Sequence, residues 1–261
     1  MPCDTVVIVR EVRDTRDLAG PVLEGGAPRA LPTRFETEDL NALEMALAVK
    51  DKSGGKVTAL SVGQPGEVDV LRECLYRGAD AAVRIDANPA TLDAHATAAL
   101  LAAAIRKLGK TDLVVAGVTV ADGETASAAA LTAAKLDIEL VTYVDALEQL
   151  DTGKLTCKRG IEMGYEYVEA PLPALLTVGV ALLNDDPRTP RSAKAMLKLK
   201  AKKQEIPAWT PADLGVDVAA ATRVERTGYT EVPERVIVSR DVPADNEPEL
   251  KAMMAELRKG D

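Results

Sequence analysis

The chain has 261 residues, of which 47% are hydrophobic and only 3% aromatic, and a formal net charge of −9. That charge argues against nucleic acid or an anionic membrane as the main partner, and no apolar run reaches the roughly 18 residues that a membrane-spanning helix needs. With one Phe and one Trp, the core must be Ala, Val and Leu, a composition that suits helices packed closely on a parallel sheet.

The elements follow in order. Thr5–Val9 reads as a buried strand, and Gly- and Pro-rich chain follows from Asp14 to Pro32. Glu38–Lys52 reads as a helix because Leu40, Leu43, Ala46, Leu47 and Val49 lie close to one stripe, and Gly54-Gly55 stops it. Strand Lys56–Val62, helix Glu67–Arg77, strand Ala81–Ile85 and the alanine-rich helix Thr91–Leu108 come next. The run Asp112–Ala116 is a strand that enters a glycine-bearing loop and then a helix reaching Leu136. Strands alternating with helices imply a parallel α/β sheet of the Rossmann type. Ligands of such sheets bind at the carboxyl ends of the strands, so the ends at Val9-Arg10-Glu11, at Val62-Gly63 and at Gly117 are expected to line one crevice.

After Leu136 the pattern becomes antiparallel: Val141–Leu150, Leu155–Arg159 and Tyr165–Glu169 read as strands joined by polar turns, followed by a buried strand at Ala174–Val178. Arg191–Lys203 is a basic helix. Prolines then recur from Pro207 to Pro248, with a last helix at Glu249–Lys259. The expected organisation is an α/β domain over 1–206 and an extended arm over 207–261 that a partner surface would order.

The chemical inventory is thin. The single histidine, His95, falls on a predicted helix, which excludes a Ser-His-Asp triad or a His-rich zinc site. Cys3, Cys74 and Cys157 are widely spaced and odd in number, as reduced thiols are; with a strand beginning at once after the N-terminus, a cytoplasmic location is expected. Any chemistry must come from a bound cofactor. The turn Asp122-Gly123-Glu124-Thr125 before an alanine-rich helix aims backbone N–H groups at whatever lies above it, and phosphate is the usual occupant. It is neither a P-loop nor a G-x-G-x-x-G motif.

These segments resemble the beta subunit of electron-transferring flavoprotein. Val9–Thr15 is similar to the family's V-K-Q-V-P-D-T, Leu71–Asp80 to L-R-E-A-L-A-x-G-A-D and Val120–Ala126 to A-I-D-G-D-T-A. Pro171–Val178 is similar to P-L-P-A-V-V-T-V, while Lys200–Pro207 and Ala212–Val216 match K-A-K-K-x-x-I and A-D-L-G-V. The resemblance implies a heterodimer with a larger alpha subunit that carries FAD, taking electrons from a flavin-dependent dehydrogenase. It also implies a nucleotide in this chain's own site, AMP in ordinary members and a second FAD in electron-bifurcating ones, and a C-terminal arm wrapped around the alpha subunit. The nucleotide would lie against Val9, Arg10, Glu11, Val62, Gly63, Gly117 and the run Asp122, Gly123, Glu124, Thr125, Ala126, Ser127, Ala128 and Ala129. Arg10 or Arg13 would place positive charge near a flavin, unless it pairs with Glu11 or Asp14. Arg159 and Glu162 would face the alpha subunit's flavin.

The chain also departs from the family pattern. Ser127 and Ala129 replace a Gln and a Gly, and Arg13 replaces a Pro. The family's N-P-F-D-E places its Asn on Glu36 without a gap, or on Thr33 with a three-residue insertion. A Leu that anchors dehydrogenases aligns with Ser192, so Arg188, Arg191 and Lys194 are expected to grip an acidic partner instead. The alternative reading is a non-redox adenine-nucleotide-binding module of similar fold.

Overall fold

The structure, a computed structural model, describes residues 2–14, 16, 23–24, 27–119, 127–179, 191–225, 227–230 and 246–257. Its contacts divide the chain into two units, Met1–Pro21 with Arg29–Thr227, and Val22–Pro28 with Gly228–Asp261.

The first unit is built on β1 (Thr5–Ile8), whose four residues are all buried. A ribbon of β2 (Glu11–Arg13) follows. In the second unit, β3 (Leu23–Glu24) pairs with β4 (Ala27–Pro28). Back in the first unit, β5 (Thr33–Phe35) pairs antiparallel with β2. Helix α1 (Thr37–Ser53) starts where the Glu36 carboxylate accepts the Thr37 N–H, and stops at Gly54, whose φ of 74° suits glycine.

The chain continues through β6 (Val57–Gly63), α2 (Asp69–Arg77), β7 (Ala81–Asp86), α3 (Ala94–Leu108), β8 (Leu113–Gly117) and α4 (Ser127–Leu136). A short β9 (Glu139–Val141) leads into β10 (Val144–Asp151), β11 (Lys154–Ile161) and β12 (Gly164–Pro171), which form a separate three-stranded antiparallel sheet. Then come β13 (Ala174–Val178), α5 (Ala195–Ala201), β14 (Ala208–Trp209) and α6 (Val218–Ala221). Helix α7 (Glu247–Leu257) belongs to the second unit.

The main sheet has seven strands in the order β14-β7-β6-β1-β8-β13-β9, and every adjacent pair is parallel. The chain starts at the centre, builds β6 and β7 on one side of β1, then returns to build β8 on the other. The topological switch therefore lies between β1 and β8, where doubly wound sheets hold ligands. One face packs Val7, Val57, Ala59 and Leu113 under α1 and α2; the other packs Val6, Leu60, Val83 and Val114 under α3 and α4. The largest fully buried side chains are Leu, Ile and Val, as the scarcity of aromatics requires.

Two features differ from the sequence reading. The Gly/Pro-rich stretch Asp14–Pro32 contains the β3–β4 pair and is flanked by the paired strands β2 and β5, because strands of two or three residues are too short for periodicity to reveal. Residues 207–227, grouped by composition with the arm, belong to the first unit: β14 pairs with β7, and Trp209, Leu214, Val216 and Val218 pack on the core.

Candidate functional site

At the carboxyl end of β1, the Val9 N–H donates to the Leu60 carbonyl at 2.9 Å, and the Val9 side chain is wholly in the core. Only its backbone is left at the sheet edge. Arg10 then turns to α1. Its backbone N–H, Nε and Nη2 donate to the Asp39 carboxylate at 2.8, 2.9 and 2.6 Å, and Nη2 also reaches the Thr119 carbonyl at 2.8 Å. Asp39 in turn accepts the Gly117 N–H at 3.0 Å, and Glu38 accepts the Thr119 N–H. The first turn of α1 thus brackets the ends of β1 and β8 across the switch point.

Gly117 is compelled by this bracket. A Cβ there would sit 2.5 Å from Asp39 Oδ1 and 2.8 Å from Arg10 Nη2. Asp39 is completely buried. Burial pushes its carboxyl up from the ordinary value, while the Arg10 guanidinium and the Gly117 N–H pull against that shift. Burial works against the Arg10 charge, but Asp39 outweighs it and raises the guanidinium further.

Arg10 is therefore paired with neither Glu11 nor Asp14, and its charge is spent on Asp39. Asp14 pairs instead with Arg16, which holds its carboxyl down at about 2, and with Arg34. Sequence reasoning missed Asp39 and Glu38, because acids in a helix's first turn are ordinarily a solvated response to the helix dipole. Helix α1 starts at Thr37 with Glu36 as its N-cap, while Thr33 lies in β5. The ungapped placement, with the family Asn on Glu36, thus puts that position at the helix start.

Glu11 accepts a hydrogen bond from Thr33 through Oε1, while its Oε2 is buried with no hydrogen-bond partner among the described residues. Val62 is half-buried and Gly63 buried at the end of β6, where a Cβ on Gly63 would meet Glu67 Oε2 at 3.1 Å. Glu67 caps that turn by accepting the Gln64 N–H at 2.6 Å. Ser127 is exposed at the start of α4, Ala128 is half-buried, and Ala129 is buried in the core under α4. Asp122, Gly123, Glu124, Thr125 and Ala126 lie outside the described residues, as does Arg188.

Among the expected docking residues, Ser192 and Lys194 are exposed. Arg191 is not a free cation. Its Nη2 lies 2.8 Å from Glu44 and its Nη1 3.0 Å from Asp51, its backbone N–H donates to Glu44, and its carbonyl accepts from Arg77. It clamps the chain before α5 onto α1. On the antiparallel sheet, Arg159 pairs with Glu166, and Glu162 is exposed.

The fold is an open parallel α/β sheet, and this bracket lies at the carboxyl edge of its central strands, at the topological switch between β1 and β8. A family model described as the electron transfer flavoprotein domain matches residues 29–214. The chain belongs to the electron transfer flavoprotein family, as a beta subunit. It is 35% identical over 246 residues to the caffeyl-CoA reductase-Etf complex subunit CarD of Acetobacterium woodii, covering 92% of this chain and 88% of that protein. It is 38% identical over 214 residues to the electron transfer flavoprotein subunit beta of Thermoanaerobacterium thermosaccharolyticum, covering 81% and 80%. Protein FixA of Azorhizobium caulinodans is 34% identical over 220 residues, covering 81% and 76%.

Proposed function

We propose that this chain is the beta half of a heterodimeric electron carrier. It pairs with an alpha subunit bearing FAD, holds a nucleotide of its own (FAD or AMP) and moves electrons between a flavin-dependent dehydrogenase and an acceptor. The observation that carries the reading is the Arg10–Asp39–Gly117 bracket at the switch point of a chain of this family. The residues present fit a nucleotide through Glu11, whose Oε2 is a buried acceptor with no hydrogen-bond partner among the described residues, while the space beside Gly117 is filled by Asp39 and Arg10.

A flavin bound here would supply the electron-transfer chemistry. The chain's own part is to bind and orient. Backbone at Val9, Gly63 and Gly117 forms the floor. The phosphate is assigned to the start of α4 and the segment leading into it. Arg10, neutralised by Asp39, fixes the geometry of the floor and contributes no net charge to the ligand. The segment from Gly228 onward, with the apolar residues Leu250 and Met254 of α7, both half exposed, is assigned to the alpha subunit. Lys194 and its neighbours on α5 are assigned to the dehydrogenase.

The test is co-expression with the alpha chain, purification of the complex and chromatography of nucleotides released by acid. Two FAD per heterodimer, or one FAD and one AMP, support a nucleotide in this subunit and say which it is. One FAD alone removes the second nucleotide, and failure to co-purify removes the heterodimer.

A further inference from the structure

Among the described residues, only three buried side-chain atoms lack a hydrogen-bond partner: Glu11 Oε2, Arg34 Nε and Arg84 Nε. Arg34 has an ion pair with Asp14 and Arg84 one with Asp86. Glu11 Oε2 has neither. A buried acceptor without a donor is among the costlier defects a fold can carry, so native examples call for an explanation. Glu11 stands two residues beyond Val9, where β1 leaves the sheet edge and β2 begins. Its other oxygen is fixed by the Thr33 hydroxyl and its backbone by pairing with Phe35, so the free oxygen is held in place.

We infer that Glu11 Oε2 accepts a hydrogen bond from a ribose hydroxyl of the nucleotide, and so selects for ribonucleotides over their deoxy counterparts. The inference rests on the nucleotide reading above. A carboxylate takes donors and repels phosphate, which directs this oxygen to the nucleoside rather than to the phosphate end of the ligand. FAD and AMP share adenosine, whose donors are the two ribose hydroxyls and the adenine amino group. Acidic side chains beside the strand ends of nucleotide-binding sheets take the ribose hydroxyls. The neighbouring cation Arg10 is committed to Asp39, so it does not compete for the carboxylate.

The experiment measures binding of AMP, 2′-deoxy-AMP, 3′-deoxy-AMP and inosine monophosphate to the full-length, nucleotide-free protein by calorimetry. The wild type is expected to bind one of the two deoxy nucleotides about tenfold more weakly than AMP. Glu11→Ala should bind AMP as weakly as the wild type binds that deoxy nucleotide, and should no longer tell the two apart. Glu11→Gln, which keeps an acceptor oxygen, should recover most of the discrimination. Thr33→Val, which removes the contact that fixes Oε1, should weaken the discrimination but less than Glu11→Ala does. Equal AMP and deoxy-AMP affinities in the wild type, or a loss seen only with inosine monophosphate, overturn the ribose assignment while the nucleotide reading stands. If Glu11→Ala discriminates as the wild type does, the oxygen is served by water alone and the inference fails. If the wild type binds none of the four nucleotides, the nucleotide reading itself fails.

Discussion

Arg10 and Asp39, 29 residues apart, meet through three hydrogen bonds of 2.6 to 2.9 Å, and the same carboxylate also holds the Gly117 N–H. One completely buried acid thus ties together the ends of β1 and β8 and the start of α1. Removing it leaves a mostly buried guanidinium and a buried N–H with no acceptor. Asp39→Ala is expected to lower unfolding free energy by about 3–5 kcal/mol, read from urea melts. A loss below about 1 kcal/mol would mean that water replaces the carboxylate.

Gly117→Ala tests the closeness of the bracket. Its Cβ would lie 2.5 Å from Asp39 Oδ1, so Asp39 must shift. The expected cost is about 1–3 kcal/mol, with weaker nucleotide retention in the purified protein. Unchanged stability and nucleotide content would show that the crevice floor is looser than its geometry.

Much of this fold was legible in the sequence. Strands buried on both faces read as short β-branched runs, and Gly54, Gly78 and Gly109 marked helix ends. The bracket was not legible. Glu38 and Asp39 have the composition of any helix N-terminus, and their partners lie far away in sequence, at Arg10, Gly117 and Thr119. Arg191 misled for the same reason. In a basic segment it reads as a docking cation, whereas its acids, Glu44 and Asp51, come from a helix 140 or more residues earlier. Pairings at such separations are set by the tertiary fold and leave no local periodicity.

Asp93 gives a pH-dependent anchor. Burial pushes its carboxyl up, but the N–H groups of Ala96, Arg223 and Val224 outweigh that and hold it below its ordinary value. For an acid depressed on folding, the stabilisation is complete above the unfolded value of about 3.9 and disappears as pH falls through the lower folded value. Amide protection at Arg223 and Val224, taken relative to the unstructured exchange rate at each pH, should therefore be lost only below about pH 4. In Asp93→Ala it should be low throughout. Loss of protection that begins near pH 6 would assign the anchor to another group.

The three cysteines are all buried, and burial raises each thiol, Cys157 to about 12. Since the thiolate is the reactive form, a disulfide-exchange reagent at pH 8 should titrate almost no thiol in the native protein and three after denaturation. A fast native thiol would place one of them at the surface.

The central claim is that the nucleotide sits at the carboxyl ends of β1, β6 and β8. Hydrogen exchange of the full-length protein with and without saturating AMP tests it most directly. Protection is expected at Val9–Glu11, at Val62–Gly63 and from Gly117 into α4, with α5 and the β10–β12 sheet unchanged. Protection confined to α5 or to the antiparallel sheet, with none at these strand ends, would contradict the account.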